Sequence, residues 1–261
     1  MYLPRNIWFV LVVILISSCS TETLDVTSPT GKLGVTVEPM EGKAYDKITF
    51  SVNYDGKTIL SQTELGLETD IQKFYGNLKL KSVSKAKRIV DDYKMITGKR
   101  SHCINEAFER TYSFENQEGN ALDITFRVYD NGVVFRYEIN TIADKEYVVD
   151  EYTAYNIPQG AKRWMQQYDP GYEKFFPVST DGNPGLIELQ DSVFMLITEA
   201  NIRRGHCGSL LFNGDNNDRY QVKLADKKQV AEKTWVSPWR VLIIGGLSDI
   251  VESTLVTDVS D

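Results

Sequence analysis

The chain has 261 residues, a net charge of −7 and a pI of about 5.1. This length suits one large β domain or two small ones. The acidic balance argues against nucleic acid as a partner, because phosphate binding requires a basic patch and the sequence shows none. Fourteen Tyr and four Trp are compatible with neutral polar ligands such as sugars, but composition alone does not single them out.

The N-terminus predicts export. Arg5 precedes ten apolar residues, 7–16, and small residues then lead to Cys19. This is the pattern of a secretory signal, and it is too short for a membrane span of roughly 20 residues. "LISSC" also resembles a bacterial lipobox, which predicts a signal peptide over 1–19, lipidation of Cys19 and a polar tether over 20–27. The alternative is an ordinary secretory peptide with an incidental cysteine.

The first strands are predicted by apolar and polar residues that alternate with a period of two. "KLGVTV" alternates in this way, and "KITFSVNYDGKTIL" predicts a hairpin that turns at Asp55-Gly56. Residues 74–105 are less regular and rich in basic side chains. We interpret that segment as a solvated face rather than a binding site.

A longer hairpin joins "LDITFRVY" to "VVFRYEI" through the turn "DNG". Its apolar side chains share one face: Leu122, Ile124, Phe126, Val128, Val133, Phe135, Tyr137 and Ile139. Further strands are predicted at "EYTAYNI", "SVFMLIT", "RYQVKLA" and "WRVLIIGG". Helical periodicity is nearly absent, and many short strands predict an all-β domain with two large antiparallel sheets face to face.

One stretch, "RWMQQYDPGYEKFFPVSTDGNPG", interleaves aromatic rings with Pro, Gly and polar residues. Aromatic rings of this kind pack against a neighbouring domain or the core, and they also pack against the C–H faces of sugars. Both interpretations stay open for its aromatic residues: Trp164, Tyr168, Tyr172, Phe175 and Phe176.

Glu199 follows six residues suited to a buried strand, in "DSVFMLITEAN". Either the strand surfaces there and Glu199 is solvated, or its carboxylate is directed at a ligand. His206 follows soon after in "RRGHCG". A histidine beside a glutamate can perform acid–base chemistry on a sugar ring, whereas the simpler interpretation is an exposed loop residue.

The usual catalytic signatures are missing from the sequence, and we assign no catalytic residue. It contains no phosphate loop, metalloprotease histidine pair or serine nucleophile elbow. Glycoside hydrolysis needs two carboxylates about 5–9.5 Å apart. The carboxylates that we considered are all interpreted as solvated: Asp91, Asp92, Asp150, Glu151 and Glu188.

Two cysteines remain beyond the N-terminus, Cys103 and Cys207. In an exported chain they can form a disulfide, provided that their Cα atoms lie within about 7 Å. Two buried free thiols are the alternative, and the sequence does not decide between them. The C-terminal residues "DIVESTLVTDVSD" show no closing element, so we expect a chain cut at a linker.

Six segments in order carry a resemblance: "SPTGKLGVTV", "YDGKTILSQTELGL", "FRVYDNGVVFRYEI", "EYTAYNIP", "ITEANI" and "SPWRVLIIG". Together they resemble the N-terminal domain of glycoside hydrolase family 97, the exo-acting α-glucosidases and α-galactosidases of bacteria such as the Bacteroidetes. The resemblance covers residues 28–261. It implies a galactose-mutarotase-like β-supersandwich that packs against a catalytic (β/α)8 barrel, and this chain stops where the barrel would begin.

The family also implies a role for Glu199. It matches the single glutamate that the N-terminal domain lends to an active-site Ca²⁺ ion, whose other ligands come from the barrel. On this hypothesis the chain is inactive alone, supports a barrel in cis or in trans that acts on α-glucosides or α-galactosides, and does not need Glu199 for its own fold. The alternatives are a mutarotase-like epimerase and a stand-alone glycan-binding lipoprotein, held in the periplasm or outer membrane by its lipid.

Overall fold

The computed structural model describes residues 24–39, 47–165, 181–214 and 218–260. Within these ranges the chain forms strands, one 3₁₀ turn and two short helices. The strands are β1 (Asp25–Thr27), β2 (Leu33–Pro39), β3 (Ile48–Tyr54), β4 (Lys57–Leu65), β5 (Leu67–Thr69), β6 (Lys73–Phe74), β7 (Lys79–Val83), β8 (Lys87–Lys94), β9 (His102–Glu115), β10 (Ala121–Tyr129), β11 (Gly132–Asn140), β12 (Glu146–Glu151), β13 (Ala154–Asn156), β14 (Lys162–Met165), β15 (Gly185–Glu188), β16 (Phe194–Ala200), β17 (Ser209–Phe212), β18 (Arg219–Leu224), β19 (Gln229–Ala231), β20 (Thr234–Val236) and β21 (Trp239–Gly245). The 3₁₀ turn spans Gln190–Ser192, and the helices are α1 (Leu247–Glu252) and α2 (Leu255–Asp258).

The strands of the described residues form two large antiparallel sheets and one small sheet. The seven-stranded sheet has the order β1-β2-β3-β4-β13-β18-β17. The ten-stranded sheet has the order β14-β15-β16-β21-β11-β10-β9-β7, with β20 beside β11 and β8 beside β9. The small sheet has the order β19-β12-β5-β6. The predicted all-β fold with two large sheets is confirmed, and the third sheet is an addition to it.

Both predicted hairpins are present. The β3–β4 turn contains Asp55 and Gly56, which have φ angles of 49° and 76°, a conformation that Asp and Gly tolerate. The β10–β11 hairpin closes with Tyr129 opposite Gly132. A Cβ atom on Gly132 would lie 2.4 Å from the carbonyl oxygen of Leu242, so only glycine permits this approach of β11 to β21.

The main core lies between the two large sheets. Phe50 on β3 meets Phe126 and Phe135 of the ten-stranded sheet, with 5.2 Å between ring centroids in each pair. Tyr112 on β9 packs edge-on against Phe126 at 5.9 Å. The residues predicted to face inward from the longer hairpin are all buried: Leu122, Ile124, Phe126, Val128, Val133, Phe135, Tyr137 and Ile139.

A second apolar cluster covers the other face of the ten-stranded sheet. Ile250 of α1 and Leu255 of α2 pack there with Val134, Trp239 and Ile243. The expectation of no closing element was therefore wrong, because α1 and α2 cover this face. Their shortness explains the miss, since neither helix is long enough to show helical periodicity in the sequence. Burial on both faces also explains why β21 is apolar along nearly its whole length.

Several predicted features fall outside the described residues. These are the signal peptide, Cys19, residues 20–23 of the tether, and the aromatic residues Tyr168, Tyr172, Phe175 and Phe176. The prediction of a tether over 24–27 was wrong for its last three residues, because Asp25–Thr27 form β1 and pair with β2. Of that aromatic stretch, Trp164 is described, on β14 at the end of the ten-stranded sheet, with 41% of its surface exposed. None of the described helices is both long and apolar enough to cross a membrane.

Candidate functional site

Glu199 lies near the end of β16, directly opposite Arg240 on β21. The β16–β21 ladder fixes this register, and neighbouring residues of β21 are fully or almost fully buried. The side chain of Glu199 is therefore carried by a rigid strand inside the sheet rather than by a loop. Its own exposure is 10%.

Both carboxylate oxygens of Glu199 have partners within the chain. Arg240 Nη1 donates to Oε2 at 2.6 Å, and Ser209 Oγ donates to the same oxygen at 2.8 Å. The backbone N–H of Ser209 donates to Oε1 at 2.9 Å. Glu199 is thus neither the solvated end of a strand nor a free carboxylate, and its contacts tie β16 to β17 and β21.

The same arginine holds a second, deeper carboxylate. Arg240 Nε donates to Glu151 Oε1 at 2.9 Å, and Nη2 donates to Oε2 at 2.5 Å. Thr153 Oγ1 also donates to Glu151 Oε1, at 2.7 Å. We call Glu151, Arg240 and Glu199 the carboxylate–arginine triad. The interpretation of Glu151 as solvated was wrong, because only 1% of its side chain is exposed.

The triad has a graded exposure and an unbalanced charge. Exposed fractions are 1% for Glu151, 3% for Arg240 and 10% for Glu199. Burial opposes the charge on Arg240, but the two carboxylates outweigh it, and the pKa of Arg240 lies above its ordinary value. With all three groups ionised, the formal charge is −1, and the excess sits at the outermost member, Glu199.

The calcium hypothesis can be tested against this donor set. A carboxylate offers about four acceptor sites, and three of those on Glu199 are used by Arg240 and Ser209. One site on Oε1 is left for an external ligand. Within the described residues no group of three or more His, Cys, Asp or Glu side chains could hold a metal. The residues fit a single calcium ligand whose remaining coordination comes from elsewhere, since Ca²⁺ takes 6–8 oxygens.

A cavity of about 750 Å³ opens beside the loop that follows Glu199. We call it the arginine pocket, because Arg136, Arg203 and Arg204 contribute to its lining. Arg136 projects from β11, and its guanidinium lies 4.3 Å from the ring centroid of Trp239. The other lining residues are Asn201, Gly205, His206, Val230, Glu232, Thr234, Trp235, Val236 and Ser237.

His206 belongs to this pocket rather than to an acid–base pair with Glu199. Its ring packs edge-on against Trp235, with centroids 5.8 Å apart, and its Nδ1 accepts from the N–H of Arg203 at 3.4 Å. Burial lowers the pKa of His206, and Arg203 and Arg240 lower it further. Glu199 is hydrogen-bonded to Arg240 and Ser209 instead, so the geometry gives no support to acid–base chemistry by this pair.

The second histidine of the chain and the two cysteines beyond the N-terminus lie elsewhere. His102 contacts Asp92 at the exposed start of β9, with 2.6 Å between Nε2 and Oδ1. Cys103 and Cys207 are both buried free thiols. The thiol of Cys103 faces the carbonyl oxygen of Arg100 at 3.9 Å, whereas Cys207 Sγ accepts from the N–H of Asp226 at 3.4 Å. Cys103 and Cys207 therefore form no disulfide in this structure, which is the second of the two alternatives that the sequence left open.

Sequence reasoning missed Arg240 and Ser209. The signal was present in "WRVLIIGG", where one arginine interrupts an apolar strand. A buried charge is normally paired, so an arginine in this apolar strand predicts a carboxylate partner elsewhere in the chain. Nothing in the local sequence could have identified that partner as Glu151, which is 89 residues away in the chain.

The comparisons with known proteins agree with this architecture. The family model described as Glycosyl-hydrolase 97 N-terminal matches residues 26–261. A curated relative from Streptomyces bingchenggensis (strain BCW-1), named "Probable retaining alpha-galactosidase", is 24% identical over 246 residues. That alignment covers 91% of this chain and 38% of the relative.

Solved structures share the fold. A crystal structure of a β-arabinopyranosidase matches with a TM-score of 0.80 and 27% identity, over 90% of this chain and 42% of that one. A glycoside hydrolase family 97 enzyme from Pseudoalteromonas sp. strain K8, in complex with acarbose, matches with a TM-score of 0.77 and 20% identity. Its coverage is 88% of this chain and 37% of that one.

The described residues form two large antiparallel sheets packed face to face, and the chain spans about two fifths of the length of the glycosidases that it matches. The chain belongs to the glycosyl-hydrolase 97 N-terminal family.

Proposed function

We propose that this domain supports the catalytic domain of a family 97 exo-α-glycosidase and presents Glu199 to a calcium ion at the shared site. The observation that carries the proposal is the triad, which holds one carboxylate at the sheet surface with an excess charge of −1. A divalent cation that approached from outside would be attracted by that charge. When bound, Ca²⁺ would supply a Lewis acid beside the substrate.

The role of this chain's own residues follows from their contacts. Arg240 fixes the carboxylate of Glu199 from one side, and Ser209 fixes both of its oxygens from another. Such support restricts a ligating group to one orientation, which is what a site shared between two domains requires. The substrates would be the α-glucosides or α-galactosides that the family resemblance implies, recognised mainly by the catalytic domain.

The test uses an enzyme in which this domain accompanies its catalytic domain. Glu199→Gln keeps the size and one acceptor oxygen of the side chain but removes its charge. We expect the calcium concentration for half-maximal activity to rise at least about tenfold, because a Ca²⁺ shell loses a charged ligand. Glu188→Gln, a carboxylate on β15 that pairs with Lys162, is the matched control and should leave the calcium requirement unchanged.

Unchanged calcium dependence in Glu199→Gln would show that the carboxylate serves the sheet alone. Glu199→Ala is less suitable, because it strips three hydrogen bonds from Arg240 and Ser209. We expect it to destabilise the isolated domain by about 1–3 kcal/mol. The sequence-based expectation that the fold does not need Glu199 is thereby revised.

We further propose that the protein is exported and lipidated at Cys19, on the strength of the apolar run and the "LISSC" motif. Wild-type protein should partition with membranes, and Cys19→Ala should move it to the soluble fraction. Wild-type protein that is already soluble after cell fractionation would contradict the anchor.

A further inference from the structure

The arginine pocket concentrates positive charge on an acidic chain. Its lining includes the guanidinium groups of Arg136, Arg203 and Arg204 against the single carboxylate of Glu232, a formal charge of +2. The whole chain carries −7. Within the described residues, no ion pair is formed by Arg136 or Arg204.

Arg136 is the least exposed of the three arginines that line the pocket. It is half-buried on β11, where its guanidinium lies over Trp239, and Arg127 lies 4.9 Å from the same ring. Arg127 is neutralised by Glu109 at 2.7 Å, whereas Arg136 has no such partner within the described region. Burial and Arg127 lower the pKa of Arg136, and Arg203 lowers it further, whereas Glu109 and Glu138 raise it. The net shift is downward, so these carboxylates compensate only partly for the burial of this cation. An anion bound in the pocket would supply the missing negative charge.

The pocket is larger than a bare anion requires. Its volume of about 750 Å³ is within the range of about 300–1,000 Å³ that small-molecule sites occupy. Asn201 and Thr234 add neutral polar groups, and Val230 and Trp235 add apolar surface. A sugar ring matches that mixture, since it combines hydroxyl groups with C–H faces.

We propose that the arginine pocket binds an acidic saccharide, with the carboxylate of a uronic acid at Arg136 and Arg204 and the sugar ring against the neutral lining. Guanidinium groups suit this ligand because their fork of donors matches a carboxylate. The inference concerns this chain alone. It requires neither the calcium ion nor the catalytic domain, so it stands or fails separately from the function proposed above.

The experiment is calorimetric titration of the purified chain at low ionic strength. D-Glucuronate and D-glucose are matched probes, because they differ only in a carboxylate or a hydroxymethyl group at C6, and acetate represents the carboxylate without the ring. We expect glucuronate to bind at least about tenfold more tightly than either. Arg136→Gln and Arg204→Gln should each weaken glucuronate by about tenfold, the equivalent of one charge-assisted hydrogen bond. Arg88→Gln removes the same charge from an exposed pair with Glu106 and should not alter binding.

If glucose bound as tightly as glucuronate, the arginine charge would play no part in binding. If acetate bound as tightly as glucuronate, the sugar ring would play no part, and the proposal of a saccharide ligand would be wrong. The acetate result would instead indicate a pocket for any acidic side chain, including one from another domain. If Arg88→Gln weakened glucuronate binding as much as the pocket variants, the loss of affinity would come from the net charge of the protein and not from the pocket, which would contradict the proposal. Arg204 is exposed, so Arg204→Gln remains decisive even if Arg136→Gln does not fold.

Discussion

Replacement of Arg240 by methionine should lower the free energy of unfolding by about 3–5 kcal/mol, because it leaves a buried charge without its partner. Glu151 would suffer most, since its side chain is 1% exposed and both of its oxygens accept from Arg240. Glu199 would lose one hydrogen bond but keep those from Ser209. Urea unfolding of the purified chain at neutral pH measures the change.

Two further variants separate this effect from a general loss of an arginine. Arg88→Met breaks an exposed pair with Glu106 and should cost less than about 1 kcal/mol. Arg240→Met combined with Glu151→Leu removes both buried charges and should recover part of the lost stability. A loss in Arg240→Met no larger than that in Arg88→Met would mean that the triad is not a buried ion pair in solution.

Phe126→Ala should destabilise the chain by about 3–5 kcal/mol, the range for a large aromatic residue deleted from a core. The ring of Phe126 is fully buried and contacts Phe50, Tyr112 and Phe135. Its loss would open a cavity at the point where the two large sheets meet. The measurement is again urea unfolding.

The matched control for Phe126→Ala is Val90→Ala on β8, where half of the side chain is already exposed. That change should cost less than about 1 kcal/mol, since little apolar surface leaves the core. A similar cost in both variants would place the core elsewhere than between the two large sheets.

The sequence predicted those parts of the fold that are encoded by near neighbours. The hairpins at Asp55-Gly56 and at residues 130–132 were recognised because a turn and two alternating strands are written within about twenty residues. Inward-facing positions such as Phe126 and Phe135 followed from the same alternation. The pairing of distant strands, such as β4 with β13 in the seven-stranded sheet, has no comparable local signal.

The candidate site was also predicted only in part from the sequence. Glu199 attracted notice because a charge at the end of an apolar strand is unusual in one short stretch of sequence. Its partners were invisible, because Ser209 and Arg240 are brought to it by the pairing and packing of β16, β17 and β21. The arginine pocket was missed for the same reason: Arg136 and Arg203 lie on separate elements that meet only in the folded chain.

The triad and the pocket are neighbours along the chain, since pocket residues 201 and 203–206 directly follow β16, which carries Glu199. The strands nevertheless direct their side chains to different faces of the ten-stranded sheet. Glu199 lies opposite Arg240, which faces Glu151, whereas Arg136 lies over Trp239 on the face that α1 and α2 cover. Of the described carboxylates of the triad, Glu151 is sealed inside the sheet and Glu199 is held by Arg240 and Ser209.

We propose that this chain supports a glycosidase without hydrolysing glycosides itself, and a hydrolysis assay tests that proposal most directly. The purified chain would be incubated with aryl α-glucosides and α-galactosides in the presence of Ca²⁺, beside a heat-treated sample. We predict no release of the aryl group above that control. Turnover that persists through further purification would contradict the account and place catalytic carboxylates within the β-sheets themselves.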